Sequence, residues 1–142
     1  MKIVVIDGQG GRLGRLLVEE IKARLPQAEI HALGTNAIAT SAMLKAGADR
    51  AATGENAVVV GARSADIIAG PVGIVIADSL LGEITPAMAA AIGQSRAKRI
   101  LIPVNHCDNI IAGVPDLSVA ALVQNAVDKI STIFSCQYTR RI

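Results

Sequence analysis

The chain is poor in aromatic residues, with no Trp, one Phe and one Tyr among 142 residues. Base-stacking platforms for single-stranded nucleic acid need several such rings, so that class of function is excluded. Cysteine is scarce as well. Cys107 and Cys136 stand far apart and outline no disulfide framework. Charged residues make up only 18%, against about 25% in ordinary domains. The net charge of +2 is scattered, with no basic run, which argues against nucleic acid or an anionic membrane as partner. So thin a charge cover points to surface buried against other copies of the chain, a homodimer by default or a higher homo-oligomer. Long apolar runs are missing too. The longest, "IIAGPVGIVIA" at 67–77, is broken by Pro71 and two glycines and falls short of the ~20 residues a membrane helix needs. "MKIVVID" is interrupted at Asp7 before it can read as a secretory signal, so the expected location is the cytoplasm.

What the chain has is glycine in one place. "VIDGQGGRLG", residues 5–14, runs an apolar strand into four glycines and then into a helix. Around it, strand and helix patterns alternate. "KIVVI" (2–6), "EIHAL" (29–33), "DRAAT", "ADIIAG" (65–70) and "RILIPV" (99–104) read as strands, with "NIIAGV" a candidate sixth at the edge. Helices are expected from Leu13 to Leu25, after a cap at Thr35 or Asn36, from Glu55 to about Arg63, and after Thr85-Pro86. A last helix carries the stripe Val119, Leu122, Val123, Ala126, Val127, Ile130 and Phe134. "GIVIADSLLG" (73–82) fits either a strand or a helix.

This alternation predicts an α/β fold. It is a doubly wound, mostly parallel sheet of five or six strands, Rossmann-like, with helices on both faces. Residues 1–135 form one domain and 136–142 a C-terminal tail. Right-handed crossovers bring the strand ends after 6, 33, 70 and 104 to one edge, where ligands bind in such sheets. "DGQGGRLG", "GTN", "GPVG" and "NHCDN" all fall there.

The G-x-G-G-x-x-G pattern sits between a strand and a helix, as a phosphate-binding loop requires. Gly8 is expected to make a tight turn at positive φ. Gly10 and Gly11 would let a phosphate approach the backbone, and Gly14 would let the helix pack on the sheet. Gln9, Arg12 and Leu13 complete the loop. The second strand ends at Gly34-Thr35-Asn36 without the carboxylate that holds a NAD ribose, so Thr35 and Asn36 favour NADP over NAD. The rest of the ligand would lie against these two residues, Gly70, Pro71 and Asn105. No Lys-Ser or Lys-Thr follows the glycines, which removes the P-loop reading. Asp7 is placed to orient the glycine loop or cap its helix, and Asp78, Ser79 and Glu83 lie near the same edge.

"PVNHCDN" gathers Asn105, His106, Cys107 and Asp108 after the fifth strand. Neighbours on an extended chain point in opposite directions, and the only other His, His31, lies inside the second strand. A polar turn is therefore the simpler reading, and no metal site is expected.

"VIDGQGG", "ALGTNAIATSAMLKAGA", "ATGENAVVV", "GPVGIVIADSLLGEITPAMA" and "ILIPVN" together resemble a family of short bacterial proteins known as a domain of unknown function. The resemblance runs from about Val4 to Asn105. It implies a small Rossmann-like protein and brings no catalytic residues with it.

Two functions follow as expectations. One is a stand-alone nucleotide-binding protein using NADP or NAD, a reductase or epimerase whose site is completed by a neighbouring subunit. The other is a non-catalytic sensor or assembly protein that binds a mononucleotide or a phosphorylated metabolite.

Overall fold

The first strand is apolar on both sides, and that decides where it goes. In β1 (Lys2–Asp7), Ile3 and Val5 face one way, Val4 and Ile6 the other, and all four are fully buried. Only a strand covered by helices on both faces tolerates this pattern. The computed structural model describes residues 1–104 and 109–140. Through these the chain runs β1, α1 (Arg12–Arg24), β2 (Glu29–Gly34), α2 (Ala37–Lys45), β3 (Arg50–Thr53) and α3 (Glu55–Ser64). It continues as β4 (Ile67–Pro71), a 3₁₀ turn (Val72–Val75), α4 (Pro86–Gln94), β5 (Lys98–Ile102) and α5 (Val119–Thr139).

The five strands form one all-parallel sheet in the order β3-β2-β1-β4-β5. One core layer joins Ile3, Val5, Ile30 and Ala69 to Leu17 and Ile21 of α1, Met43 of α2, and Val127 and Ile130 of α5. The opposite layer joins Val4, Ile6, Leu33 and Ile68 to Val58 of α3 and to Met88 and Ile92 of α4. The doubly wound α/β reading therefore stands. Strand order reverses between β1 and β4, which opens a crevice at their carboxyl ends.

Helix starts follow the capping chemistry. The Asn36 side chain accepts from the Ala39 N–H at 2.9 Å. The Thr85 hydroxyl accepts from the Met88 N–H at 3.2 Å, with Pro86 next in line.

Three stretches differ from expectation. Residues 109–114 form no sixth strand, because a parallel neighbour needs a crossover of about a dozen residues and β5 ends at Ile102. Residues 73–82 are neither strand nor long helix. After the 3₁₀ turn the chain folds through consecutive turns, and its apolar residues Ile74, Leu80 and Ile84 are buried in the second core layer. Finally, α5 continues to Thr139, past position 136 where a tail was expected.

Candidate functional site

At the carboxyl end of β1 the chain must turn into α1, whose first N–H groups have no partner within the helix. Asp7 supplies one. Its carboxylate is 5% exposed and accepts from the N–H of Gly8 at 2.8 Å and of Gly14 at 2.7 Å. The turn closes with the Gly11 N–H donating to the Gly8 carbonyl at 2.9 Å.

The four glycines divide the work differently from expectation. Positive φ falls on Gln9 (50°) and Gly11 (73°), not on Gly8. Gly8 is needed for close approach, since a Cβ there would lie 2.6 Å from Thr35 Oγ1 and 2.9 Å from Glu83 Oε2. A Cβ on Gly11 would meet the Ala39 backbone at 2.6 Å, and one on Gly14 the Met43 sulfur at 2.5 Å, so both serve helix packing. Gly10 alone of the four has open space beside it.

Glu83 reaches the loop from 74 residues away in sequence. Its carboxylate accepts from the Gln9 N–H at 3.2 and 3.1 Å, from the Asn36 side-chain amide at 2.9 Å, and from the Thr35 hydroxyl. Asn36 also donates to the Gln9 carbonyl at 2.9 Å. Partial burial pushes the Glu83 carboxyl up. The hydrogen bonds from Thr35, Gln9 and Asn36 outweigh that effect and hold it below its ordinary value of 4.5.

A carboxylate lowered in this way stabilises the fold above its ordinary pKa, and the contribution is lost as pH falls through the folded value. The stability difference between the wild type and Glu83→Gln, read from urea midpoints, is therefore expected to shrink as pH is lowered from about 5 to about 3. A difference that stays constant with pH would show that the ionised carboxylate contributes nothing.

Beside this loop lies a cleft of about 310 Å³, lined by Asp7, residues 8–13, Pro71, Leu80, Val104 and Val119. Its walls are mainly apolar. Its polar features are the Asp7 carboxylate, Gln9, the start of α1 and Arg12, an exposed cation with no ion-pair partner among the described residues. The N–H groups of Gly10, Arg12 and Leu13 donate to no described residue.

Of the residues named from sequence, Gly8, Gln9, Gly10, Gly11, Arg12, Leu13 and Pro71 line the cleft. Gly14 lies behind it, against Met43. Gly70 sits within β4, where a Cβ would press on the Ile6 carbonyl at 2.3 Å. Thr35 and Asn36 turn toward Glu83 and do not line the cleft. Asn105, His106, Cys107 and Asp108 lie outside the described residues. Sequence reading left Leu80, Val104 and Val119 off the site, because lone apolar residues carry no motif. Among the described residues no three of His, Cys, Asp and Glu are grouped to hold a metal. No helix among them is long and apolar enough to cross a membrane.

Residues 2–135 match the family model described as "Domain of unknown function (DUF3842)". The chain belongs to that family. The resemblance read from Val4 to Asn105 is thus confirmed, and the DUF3842 match carries it through most of α5. None of the curated proteins compared matches the chain. One solved structure similar to this DUF3842 chain is a dodecameric FMN-dependent UbiX-like decarboxylase from Escherichia coli O157:H7. The two are 18% identical with a TM-score of 0.46, over 92% of this chain and 76% of that one.

The geometry around Thr35 and Asn36 contradicts the expected NADP or NAD. That solved structure is described as FMN-dependent. Thr35 and Asn36, assigned to a dinucleotide's ribose, are taken up by Glu83.

Proposed function

We propose that the chain binds one phosphate-bearing small molecule, of mononucleotide size or less, in the cleft beside the glycine loop. The observation that carries this reading is the set of three N–H groups, on Gly10, Arg12 and Leu13, that donate to no described residue, next to the Arg12 guanidinium, which has no ion-pair partner among the described residues. Backbone N–H groups at a helix start, backed by the helix dipole, favour an anion, and an arginine matches phosphate geometry. Leu13, Pro71, Leu80, Val104 and Val119 then offer an apolar wall to the body of the ligand. A volume of about 310 Å³ is near the lower end for ligand clefts, which span about 300–1,000 Å³. That size supports a mononucleotide or a phosphorylated metabolite.

The described lining supplies amides, one cation and apolar walls, while each oxygen of the Asp7 carboxylate already accepts a backbone N–H. This is the chemistry of holding a ligand, and it supports the sensor reading. A thermal-shift panel of phosphorylated compounds (AMP, FMN, sugar phosphates) and their dephosphorylated counterparts tests it. The phosphorylated members are expected to stabilise the fold, by about 2.7 kcal/mol at about 100-fold over the dissociation constant. Equal response to both sets, or to neither, contradicts the reading.

Self-association belongs to the same proposal. Ile110 and Leu81 are 94% and 91% exposed, and Ile111, Val114 and Leu117 are partly so, which is costly for a chain with few charges. Sedimentation velocity at micromolar concentration is expected to show a dimer or larger species that Ile110→Ser weakens. A strict monomer contradicts this.

A further inference from the structure

Three donors meet on the Glu83 carboxylate, and they come from two neighbouring loops. The Gln9 N–H belongs to the β1–α1 turn, and the Thr35 hydroxyl and Asn36 amide to the β2–α2 turn. The Thr35 N–H bonds to the Asp7 carbonyl at 3.1 Å, which fixes the two turns to each other. This is a cradle for an anion at the carboxyl edge of the sheet, next to the cleft, because Gln9 takes part in both. In this chain the anion in it is the chain's own.

Glu83 arrives on an awkward piece of backbone. Asp78, Leu80 and Leu81 hold φ of 64°, 55° and 55°, and Gly82 follows at 86°. Left-handed backbone at non-glycine residues persists only where its surroundings over-determine it. Here the determinants are bonds within the strap, Asp78 N–H to the Ile84 carbonyl at 2.7 Å and Gly82 N–H to the Asp78 carbonyl at 3.1 Å, and the buried anchors Leu80 and Ile84. The strap thus places one carboxylate in the cradle and one apolar side chain, Leu80, in the cleft wall.

We propose that Gln9, Thr35 and Asn36 form a second anion subsite that Glu83 fills in cis. Glu83 is then a specificity-determining residue. It admits ligands with one anionic group, seated at Gly10–Leu13, and bars those whose second anionic group extends toward Thr35. The inference rests on the proposed phosphate site. The ligand class it selects is the monophosphate, and the class it rejects is the diphosphate. Like charges brought into one cradle repel, and Glu83 already satisfies the donors that a second phosphate would use.

The test is calorimetric titration of the full chain with inorganic phosphate and with pyrophosphate. The wild type is expected to bind pyrophosphate no more tightly than phosphate. Glu83→Ala is expected to bind pyrophosphate at least about tenfold more tightly than the wild type does, and adding Thr35→Val is expected to remove most of that gain. Asp78→Asn removes a charge from the same strap without opening the cradle, and is expected to produce no gain. A folded Glu83→Ala with the wild-type preference overturns the proposal. So does a gain that Asp78→Asn reproduces or that Thr35→Val leaves intact. If Glu83→Ala does not fold, Glu83→Gln serves: it removes the like charge while still occupying the cradle, so a smaller gain in the same direction is expected, and the same preference as the wild type overturns the proposal. Failure of the wild type to bind either anion counts against the phosphate site at Gly10–Leu13. The cradle is judged separately, by whether opening it creates anion binding.

Discussion

Replacing Asp7 with alanine is expected to lower the stability of the fold by about 4 kcal/mol, since hydrogen bonds to a charged group contribute about 1.5–3 kcal/mol each. The carboxylate is buried and accepts from two N–H groups, those of Gly8 and Gly14. Alanine leaves both donors without that acceptor where little water can reach them. Asp7→Asn keeps one acceptor oxygen but turns an amide N–H₂ toward a backbone donor, so an intermediate loss is expected. Urea denaturation of the three proteins measures the series. A loss below about 1 kcal/mol for Asp7→Ala would mean that the turn does not depend on this carboxylate. The same change loosens the start of α1, so ligand affinity is expected to fall with stability.

The second large effect separates binding from folding. Gly10→Leu is expected to leave stability within about 0.5 kcal/mol and to weaken the phosphate-bearing ligand by at least about 100-fold, roughly 2.7 kcal/mol. A Cβ at Gly10 meets nothing within 4 Å, and the residue lines the cleft. Its φ is not among the positive ones. The added side chain therefore costs the fold little and takes up space that the ligand needs. Gly11→Leu is the contrasting change. Its φ of 73° and the Ala39 backbone 2.6 Å from a Cβ make that substitution destabilising before any ligand is added. Equal affinity for Gly10→Leu and the wild type would place the ligand elsewhere.

Much of the fold was legible because its signals are local. The apolar run of β1, a helix cap at Thr35 or Asn36 and the Thr85-Pro86 start each depend on a few adjacent residues, and the structure carries all three, with the cap at Asn36. The parallel arrangement followed from alternation and handedness, which constrain how such a chain can wind. Glu83 shows where this stops. It lies on the strap that periodicity left ambiguous, and its partners are Gln9, Thr35 and Asn36, distant in sequence. No local pattern encodes such a meeting; it exists only once β1, β2 and β4 lie side by side. Gly8 failed in another way. Its glycine was read as conformational, whereas the need is for space beside Thr35 and Glu83. A sequence records that a side chain is absent, not what would have touched it. Val104 and Val119 were missed for a related reason, since an apolar residue lining a cleft looks like any other core residue until the cleft is seen.

The most direct measurement is an amide ¹H–¹⁵N titration of the wild type with AMP, with adenosine as the control. The largest shifts are expected at Gly10, Arg12 and Leu13, with smaller ones at Leu80 and Val119, and adenosine is expected to leave the first three unmoved. Shifts centred outside residues 8–13, or none at millimolar AMP, would contradict the assignment of the glycine loop as a phosphate site.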